Sequence, residues 1–366
     1  MHARRTLQVI GAFAIANAPI ASHAGTPAPA DPSPDGMHFL YEVNRARHDP
    51  AAWAHENTLG ALLDAFAPAQ PLAVNRTLVA ASQAKAAEFP QYHYFSHQSP
   101  VTGWPNDLLR VVFGYPLSGN SQYFFASSDC APCLYPSGTN TGVESLATSF
   151  GPDGGLFPDP VAAVRGLLGE ICVSGMIGSC GTISHRDHLL AAAAQTRYMV
   201  ESGAAHVVVE EPGPPALTTH YWTFHTGMPV ANLASMPRFL TGVVFADADG
   251  DDRYDAGEGL GGVTVSANAL ATTTDAAGGW AIEAPSATYE VHCSGGAFAG
   301  TSVASGVGLG AVNRAVDCVS GNPQAWLDFE SVPEPGAALA GAVAGCALVA
   351  IRARRRRAIA DPHQIL

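Results

Sequence analysis

Histidines and acidic residues stand among aromatic or apolar neighbours at three separated points of the chain. His97 ends a Tyr-Phe-Ser-His run, Glu144 lies in Gly-Val-Glu-Ser-Leu-Ala, and His185 begins His-Arg-Asp-His-Leu-Leu. A buried ionisable side chain is costly unless it is paired, bound to a metal or used in chemistry. Two imidazoles backed by carboxylates make an open Zn²⁺ site, and a His–Glu pair without metal can act as a general base. The sequence contains neither the G-x-S-x-G motif of serine hydrolases nor the H-E-x-x-H motif of zinc proteases. Hydrolysis is therefore an alternative that no sequence motif supports.

A second chemistry is indicated by the acidic segment 247–258. Its acids and one backbone carbonyl follow the ligand spacing of an EF-hand loop, and they are Asp247, Asp249, Asp251, Arg253 through its carbonyl, Asp255 and Glu258. The segment departs from that pattern at Asp252, where a glycine is usual, and strands rather than helices are predicted on both sides. Acids this close repel one another without a cation, so we expect Ca²⁺ binding here. A solvated acidic turn is the alternative.

Seven cysteines favour an oxidising compartment. Pairing by proximity would give Cys130–Cys133, Cys172–Cys180 and Cys293–Cys318, although connectivity does not follow from sequence alone. Cys346 lies in an apolar run near the C-terminus and is left over. A structural disulfide is favoured over a redox dithiol for the Cys130 pair, because no strand-then-helix pattern surrounds it.

The elements that must position these residues fall into two groups. Helical periodicity predicts helices over 37–54, 77–89, 159–170 and 185–194, and strands are predicted at 206–210 and 218–224. Helices flanking an antiparallel sheet make an α+β layered domain. After residue 240 the pattern changes to short apolar runs separated by Gly and Asp turns, at 241–245, 262–267, 279–282 and 288–292, which predicts a small all-β sandwich.

Six segments in order resemble the CAP superfamily, which includes the SCP, cysteine-rich secretory and pathogenesis-related proteins. They are Asn44-Arg45-Ala46-Arg47, Pro71-Leu72-Ala73-Val74-Asn75, Tyr94-Phe95-Ser96-His97, Gly142-Val143-Glu144-Ser145-Leu146-Ala147, Ser184-His185-Arg186-Asp187-His188-Leu189-Leu190 and Tyr221-Trp222-Thr223-Phe224. The resemblance implies an α-β-α sandwich with a cleft of two histidines and two acids. It carries these roles to His97, Glu144 and His185, and to Glu170, which keeps the family's spacing with Leu167 where the family has Trp. His93, His188 and His225 are expected to be core or rim residues, with a His185/His188 metal pair as an alternative.

The acidic loop and its flanks resemble the SdrD B-like or Cna-B-like repeats of bacterial surface proteins, which implies a calcium-stiffened spacer that holds the first domain off the membrane. The N-terminus has a charged start, an apolar run and a small-residue end, as in a secretory signal peptide. The C-terminus joins Val332-Pro333-Glu334-Pro335, an apolar run of marginal membrane-spanning length and an arginine cluster. This tail resembles a PEP-CTERM sorting signal, which implies recognition by an exosortase after export by the Sec machinery.

Together these patterns predict an exported protein of a Gram-negative cell envelope, anchored at least transiently in the inner membrane by a C-terminal helix. The formal net charge of −13 disfavours nucleic acid as a partner. The leading function is binding of a lipid, glycan or protein in the His/Glu cleft. A divalent-metal-dependent hydrolase and a structural surface module are alternatives. The predicted regions are a signal peptide (1–24), a Pro-rich linker (25–36), a CAP-type domain (37–228), a linker (229–240), a calcium-binding β-sandwich (241–320), a linker (321–332) and a sorting signal (333–357).

Overall fold

The computed structural model describes residues 26–116, 143–171, 177, 184–192, 198–213, 215–229, 236–321 and 328–329. The predicted signal peptide and sorting signal lie outside these residues. No helix within the described ranges is long and apolar enough to span a membrane. The described chain combines helices with several sheets, which confirms the α+β class.

Two helices of the first domain begin directly after a residue whose side chain caps them. Asn75 and Asp159 accept backbone N–H groups of the helices that follow them. The helix predicted to run to Ala194 is shorter than expected and ends at Leu189. The helices are α1 (Pro34–His48), α2 (Pro50–Glu56), α3 (Arg76–Tyr92), α4 (Pro105–Asp107), α5 (Pro160–Leu168) and α6 (Ser184–Leu189), with a 3-10 turn at Gly60–Leu63 and a π turn at Leu108–Val112.

One four-stranded sheet forms the centre of this domain. Its strands are β1 (Ala73–Val74), β2 (Glu144–Gly151), β3 (Glu201–Glu211) and β4 (Leu217–Gly227), in the order β1-β3-β4-β2. β2 was not predicted, because its residues lack the apolar/polar alternation of a half-buried strand. Helix α3 packs on one face, so closely that a Cβ atom at Gly203 would lie 2.2 Å from the backbone nitrogen of Val79. Phe39 of α1 packs on Trp222 and Phe224 of the other face.

The second domain contains more strands than the four predicted runs. One sheet has the order β10-β9-β6-β7, and in the other β5 pairs with β8, β11 and β12, and β11 also pairs with β13. Both contribute to one apolar core that includes Trp280. The strands are β5 (Phe239–Phe245), β6 (Thr264–Ala267), β7 (Leu270–Thr273), β8 (Gly279–Glu283), β9 (Ala287–Ser294), β10 (Thr301–Leu309), β11 (Arg314–Val316), β12 (Cys318–Val319) and β13 (Asp328–Phe329).

The two domains share a buried interface. The predicted spacer domain is therefore packed against the first domain instead of being separate from it. Tyr254 is fully buried and meets the Tyr41 ring of α1 edge-on at 5.6 Å between ring centroids. Asn313 donates from its amide nitrogen to the carbonyl oxygens of Pro71 (3.0 Å) and Val200 (2.7 Å). The boundaries also shift: α1 begins at Pro34, inside the predicted Pro-rich linker, and β5 begins inside the predicted second linker.

Candidate functional site: a His/Glu cleft at the sheet edge

The candidate site is built around β2, the edge strand of the central sheet. Glu144 lies opposite His225 of β4, and the pairing continues to Gly151 opposite Thr218. Successive strand residues point to opposite faces. Glu144 therefore faces α3, and Ser145 faces the α1 side of the sheet. The strand can thus carry polar groups into both layers of the domain.

The first His–Glu pair joins a loop to this strand. His97, which follows α3, places Nδ1 2.8 Å from Glu144 Oε1. The Glu144 side chain is fully buried, whereas the His97 side chain is 30% exposed. Burial alone raises the pKa of Glu144, but contact with the imidazoles of His225 and His97 outweighs burial and lowers that pKa to about 2. The carboxylate is therefore ionised and fixed behind an accessible imidazole.

His225 completes this arrangement from the neighbouring strand. Its Nε2 lies 2.9 Å from Glu144 Oε2, in a geometry poorly aligned for a hydrogen bond. On its other side, His225 Nδ1 lies 2.8 Å from the Ser82 hydroxyl, which donates to the carbonyl oxygen of Gly203. The sequence correctly places His225 in the core. Its contact with Glu144 depends on the pairing of β2 with β4, which was not predicted.

The second His–Glu pair comes from the opposite layer. His185 Nδ1, on α6, lies 3.0 Å from Glu170 Oε2, and the backbone N–H of Arg186 donates to Glu170 Oε1 at 3.0 Å. Glu170 is buried and follows α5 with a φ of 50°, in the left-handed region that most side chains avoid. The predicted role of Glu170 as the fourth cleft residue therefore has a geometric basis: the turn aims its carboxylate at His185.

A cavity of about 570 Å³ brings the two pairs together. Both His97 and His185 line it, together with Phe95, Leu167 and five consecutive residues of β2, Leu146 to Phe150. The two carboxylates lie behind their imidazoles. Within the described residues, the hydrogen bonds of both imidazoles use Nδ1, which leaves each Nε2 for a ligand.

Other ionisable groups near the cleft are occupied. His188 is buried, with Nδ1 2.7 Å from the Ser145 hydroxyl and Nε2 2.7 Å from the Thr226 hydroxyl. The alternative of a His185/His188 metal pair is therefore wrong. Lys85 is buried behind His97 and donates to the His97 carbonyl oxygen at 3.0 Å; desolvation lowers its pKa. This bond fixes the loop that carries His97.

A larger cavity, of about 780 Å³, lies elsewhere, at the junction of the two domains. Its lining includes Asp35, His38, Asp159, Arg165 and Asp255. Size alone would favour it over the cleft. We assign the chemistry to the smaller cavity, because there two imidazoles are each oriented by a buried carboxylate.

The acidic loop has carboxylates close enough to share a cation. Oxygen atoms of Asp247, Asp249 and Glu258 lie within 4.8 Å of one another, as do those of Asp249, Asp251 and Asp255. Hard oxygen ligands suit Ca²⁺. Partial burial raises the pKa of Asp255, and repulsion by Asp251 and Asp249 contributes to the rise. The donor set fits the predicted ion, whose binding stays a prediction.

The disulfide Cys293–Cys318 is present and joins β9 to β12 within the second domain. Cys130, Cys133, Cys172 and Cys180 lie outside the described residues, so their pairing stays a prediction.

Comparisons of the chain with protein-family models, with curated proteins and with solved structures found no match. The fold and the site define an α+β protein with a paired His/Glu cleft at the edge of its central sheet.

Proposed function

We propose that this chain is an exported envelope protein whose first domain has the CAP-type α-β-α sandwich fold and binds a ligand in the His/Glu cleft. One observation carries the proposal: a cavity of about 570 Å³ that is mainly apolar and receives two accessible, carboxylate-oriented imidazoles. Ligand sites in proteins combine apolar walls with a few fixed polar groups in this way. Apolar walls favour a lipid or a protein segment over a glycan.

The proposal includes the wider setting expected from the sequence. A signal peptide for the Sec machinery, a PEP-CTERM-like tail recognised by an exosortase and a Ca²⁺-binding β-domain place the cleft in the envelope or biofilm matrix of a Gram-negative bacterium. The shared interface supports a β-domain that holds the cleft domain in a fixed orientation.

Divalent-metal-dependent hydrolysis is a second candidate, favoured by the paired geometry. A carboxylate that accepts the Nδ1 proton of a histidine orients Nε2 toward a metal and raises its basicity. His97 and His185 would supply the two nitrogen ligands for Zn²⁺, with Glu144 and Glu170 behind them. A bound zinc ion would polarise an ester or amide carbonyl or activate a water molecule.

A titration of the full chain with an anilinonaphthalene sulfonate dye tests the cleft. Phe150 lines the cavity and is 68% exposed, so Phe150→Ala removes contact area with little effect on folding. Val111, which is 66% exposed and absent from the cavity lining, provides the matched control Val111→Ala. We expect blue-shifted dye fluorescence that Phe150→Ala weakens several-fold and Val111→Ala leaves unchanged.

Equal effects of the two substitutions, or no binding by the native chain, would contradict the proposal.

Metal analysis of the same preparations separates the two candidates. Stoichiometric zinc that is lost in both His97→Ala and His185→Ala supports the metal-dependent candidate. Retention of dye binding without zinc supports the binding cleft.

A further inference from the structure

The long wall of the cleft is the outer edge of β2, with which no strand of the described residues pairs. β2 is the last strand in the order β1-β3-β4-β2 and pairs with β4 on one side. The five β2 residues that line the cavity, Leu146 to Phe150, are consecutive. A ligand in this cavity therefore runs along a strand rather than across it.

The backbone of β2 presents hydrogen-bonding groups toward that ligand. The N–H of Thr226 donates to the carbonyl oxygen of Val143, which fixes the phase of the ladder. In an antiparallel ladder every second residue bonds to the partner strand. The odd-numbered residues from Val143 to Gly151 therefore bond to β4, and the N–H and C=O groups of Leu146, Thr148 and Phe150 point away from it. Gly155 covers those of Phe150, since a Cβ atom at Gly155 would lie 2.7 Å from the Phe150 oxygen and 2.9 Å from its nitrogen. The open groups within the described chain are therefore those of Leu146 and Thr148. Among the described residues, no backbone or side-chain group hydrogen-bonds to them.

Apolar side chains stand on both sides of this edge. Leu146 and Phe150 line the cavity on the face that also carries Phe95, and Leu156 and Phe157 line it on the other. Three of these are unusually exposed for large apolar side chains: Phe150 at 68%, Phe95 at 43% and Leu156 at 41%. Contiguous exposed apolar surface marks a binding site.

The lack of charged side chains in the cavity lining restricts the class of ligand further. The described residues that line the cavity include no Asp, Glu, Lys or Arg, and their only ionisable groups are His97 and His185. An uncharged segment complements such walls. An acyl chain would cover the outward N–H groups without accepting their hydrogen bonds, which costs free energy. An extended peptide backbone satisfies them.

We infer that the cleft binds an extended, uncharged peptide segment with apolar side chains, which adds to β2 as a fifth strand of the sheet. This inference rests on the proposed cleft-binding function and specifies its ligand. At about 3.3 Å per residue, a segment of five residues spans the length of β2 that lines the cavity. Its alternate side chains would enter the two apolar walls, and its backbone would pair with Leu146 and Thr148.

The test uses a capped synthetic peptide with a central Val-Leu-Val-Leu and Gly-Ser ends, titrated into the full chain. Thr148→Pro removes one outward N–H and leaves the bonds of β2 to β4, because an edge strand tolerates proline where its N–H faces outward. Thr148→Val is the matched control, since it keeps that N–H and loses only the hydroxyl bond to the His220 carbonyl oxygen. We expect Thr148→Pro to weaken peptide binding about tenfold more than Thr148→Val does, because only the proline deprives a buried peptide carbonyl of its donor.

Two further peptides, N-methylated at alternate residues in opposite phases, test the native chain independently of how Thr148→Pro folds. Pairing with β2 requires that one phase loses binding and the other retains it. Equal binding of both phases, or equal binding by Thr148→Pro and Thr148→Val, would overturn the inference. Dye binding without peptide binding would overturn it while leaving the cleft function standing, and absence of both would contradict both proposals.

Discussion

Each of the two cleft histidines is held by a carboxylate that is more deeply buried than the imidazole. Glu144 and Glu170 expose 0% and 1% of their side chains, against 30% for His97 and 22% for His185. Burial keeps each carboxylate from water, and its hydrogen bond to Nδ1 fixes the tautomer and the ring orientation. The exposed Nε2 atoms are thereby fixed in orientation, and no described residue forms a hydrogen bond with them.

At this scale, we predict that Glu144→Gln removes a pH-dependent part of the stability. The folded-state pKa of Glu144 is about 2, against an ordinary value of 4.5. A lowered carboxyl pKa stabilises the fold above the unfolded-state value, and that contribution is lost as the pH falls from about 4.5 toward 2. At neutral pH the substitution should cost about 3 kcal/mol of unfolding free energy.

Urea unfolding of the full chain at several pH values measures this effect. The native protein should lose stability between about pH 4.5 and 2 more steeply than Glu144→Gln. The matched control is Glu210→Gln, on an exposed position of β3. Parallel curves for the native protein and Glu144→Gln would show that the Glu144 carboxylate is not stabilised by its histidines.

At the scale of elements, the cleft depends on the placement of helix α3 against the sheet. Asn75 performs two tasks at the start of this helix: its side-chain oxygen accepts from the N–H groups of Thr77 and Leu78, and its amide nitrogen donates to Glu201 at 2.7 Å. The helix then positions Lys85, Ser82 and the loop that carries His97. A single residue thus ties the helix both to its own backbone and to β3.

We predict that Asn75→Ala lowers the unfolding free energy by about 1–2 kcal/mol, because it removes the cap and leaves the buried carboxylate of Glu201 with one donor fewer. Asn75→Ser keeps a capping oxygen and loses the bond to Glu201, so it should recover part of this loss. Thermal unfolding of the three proteins measures both effects. Equal melting temperatures for Asn75→Ala and the native chain would show that the cap contributes nothing.

At the scale of the whole molecule, the acidic loop is also part of the domain interface. Arg253 pairs with Glu56 of α2, and Asp255 lies 3.5 Å from the Nε2 atom of His38 on α1. The backbone N–H of Ala256 donates to His38 Nδ1 at 3.2 Å. Carboxylates expected to hold a cation therefore alternate with residues that contact the first domain.

We predict that Ca²⁺ raises the melting temperature of the full chain in a single unfolding transition, since both domains share a buried core around Tyr254. Binding to the native state alone would add about 2.7 kcal/mol at a hundredfold excess over the dissociation constant. Asp249→Asn combined with Asp251→Asn should abolish the shift, and Asp153→Asn, at an exposed acid outside the loop, should retain it. Calorimetry with and without chelator measures this. An unchanged melting temperature, or two separate transitions, would contradict the prediction.

The sequence by itself determined the elements whose signals are local. The helices at 77–89 and 159–170 and the strand at 218–224 were predicted because their residue patterns are local. Pairing by proximity also gave Cys293 with Cys318. It also selected His97, Glu144 and His185, since polar groups in apolar surroundings stand out along the chain, whereas Glu170 was added only through the resemblance to the CAP pattern.

Only the tertiary structure decided how those residues meet. The strand that carries Glu144 has no periodic signal, so its pairing with β4, its place at the sheet edge and its contact with His225 depend on long-range packing. The same holds for the junction around Tyr254, where an acidic loop and helix α1 come together from distant parts of the chain. Local sequence specifies turns, caps and strands. Which strand lies at the sheet edge, and which surfaces form an interface, depends on how all the elements pack around one core.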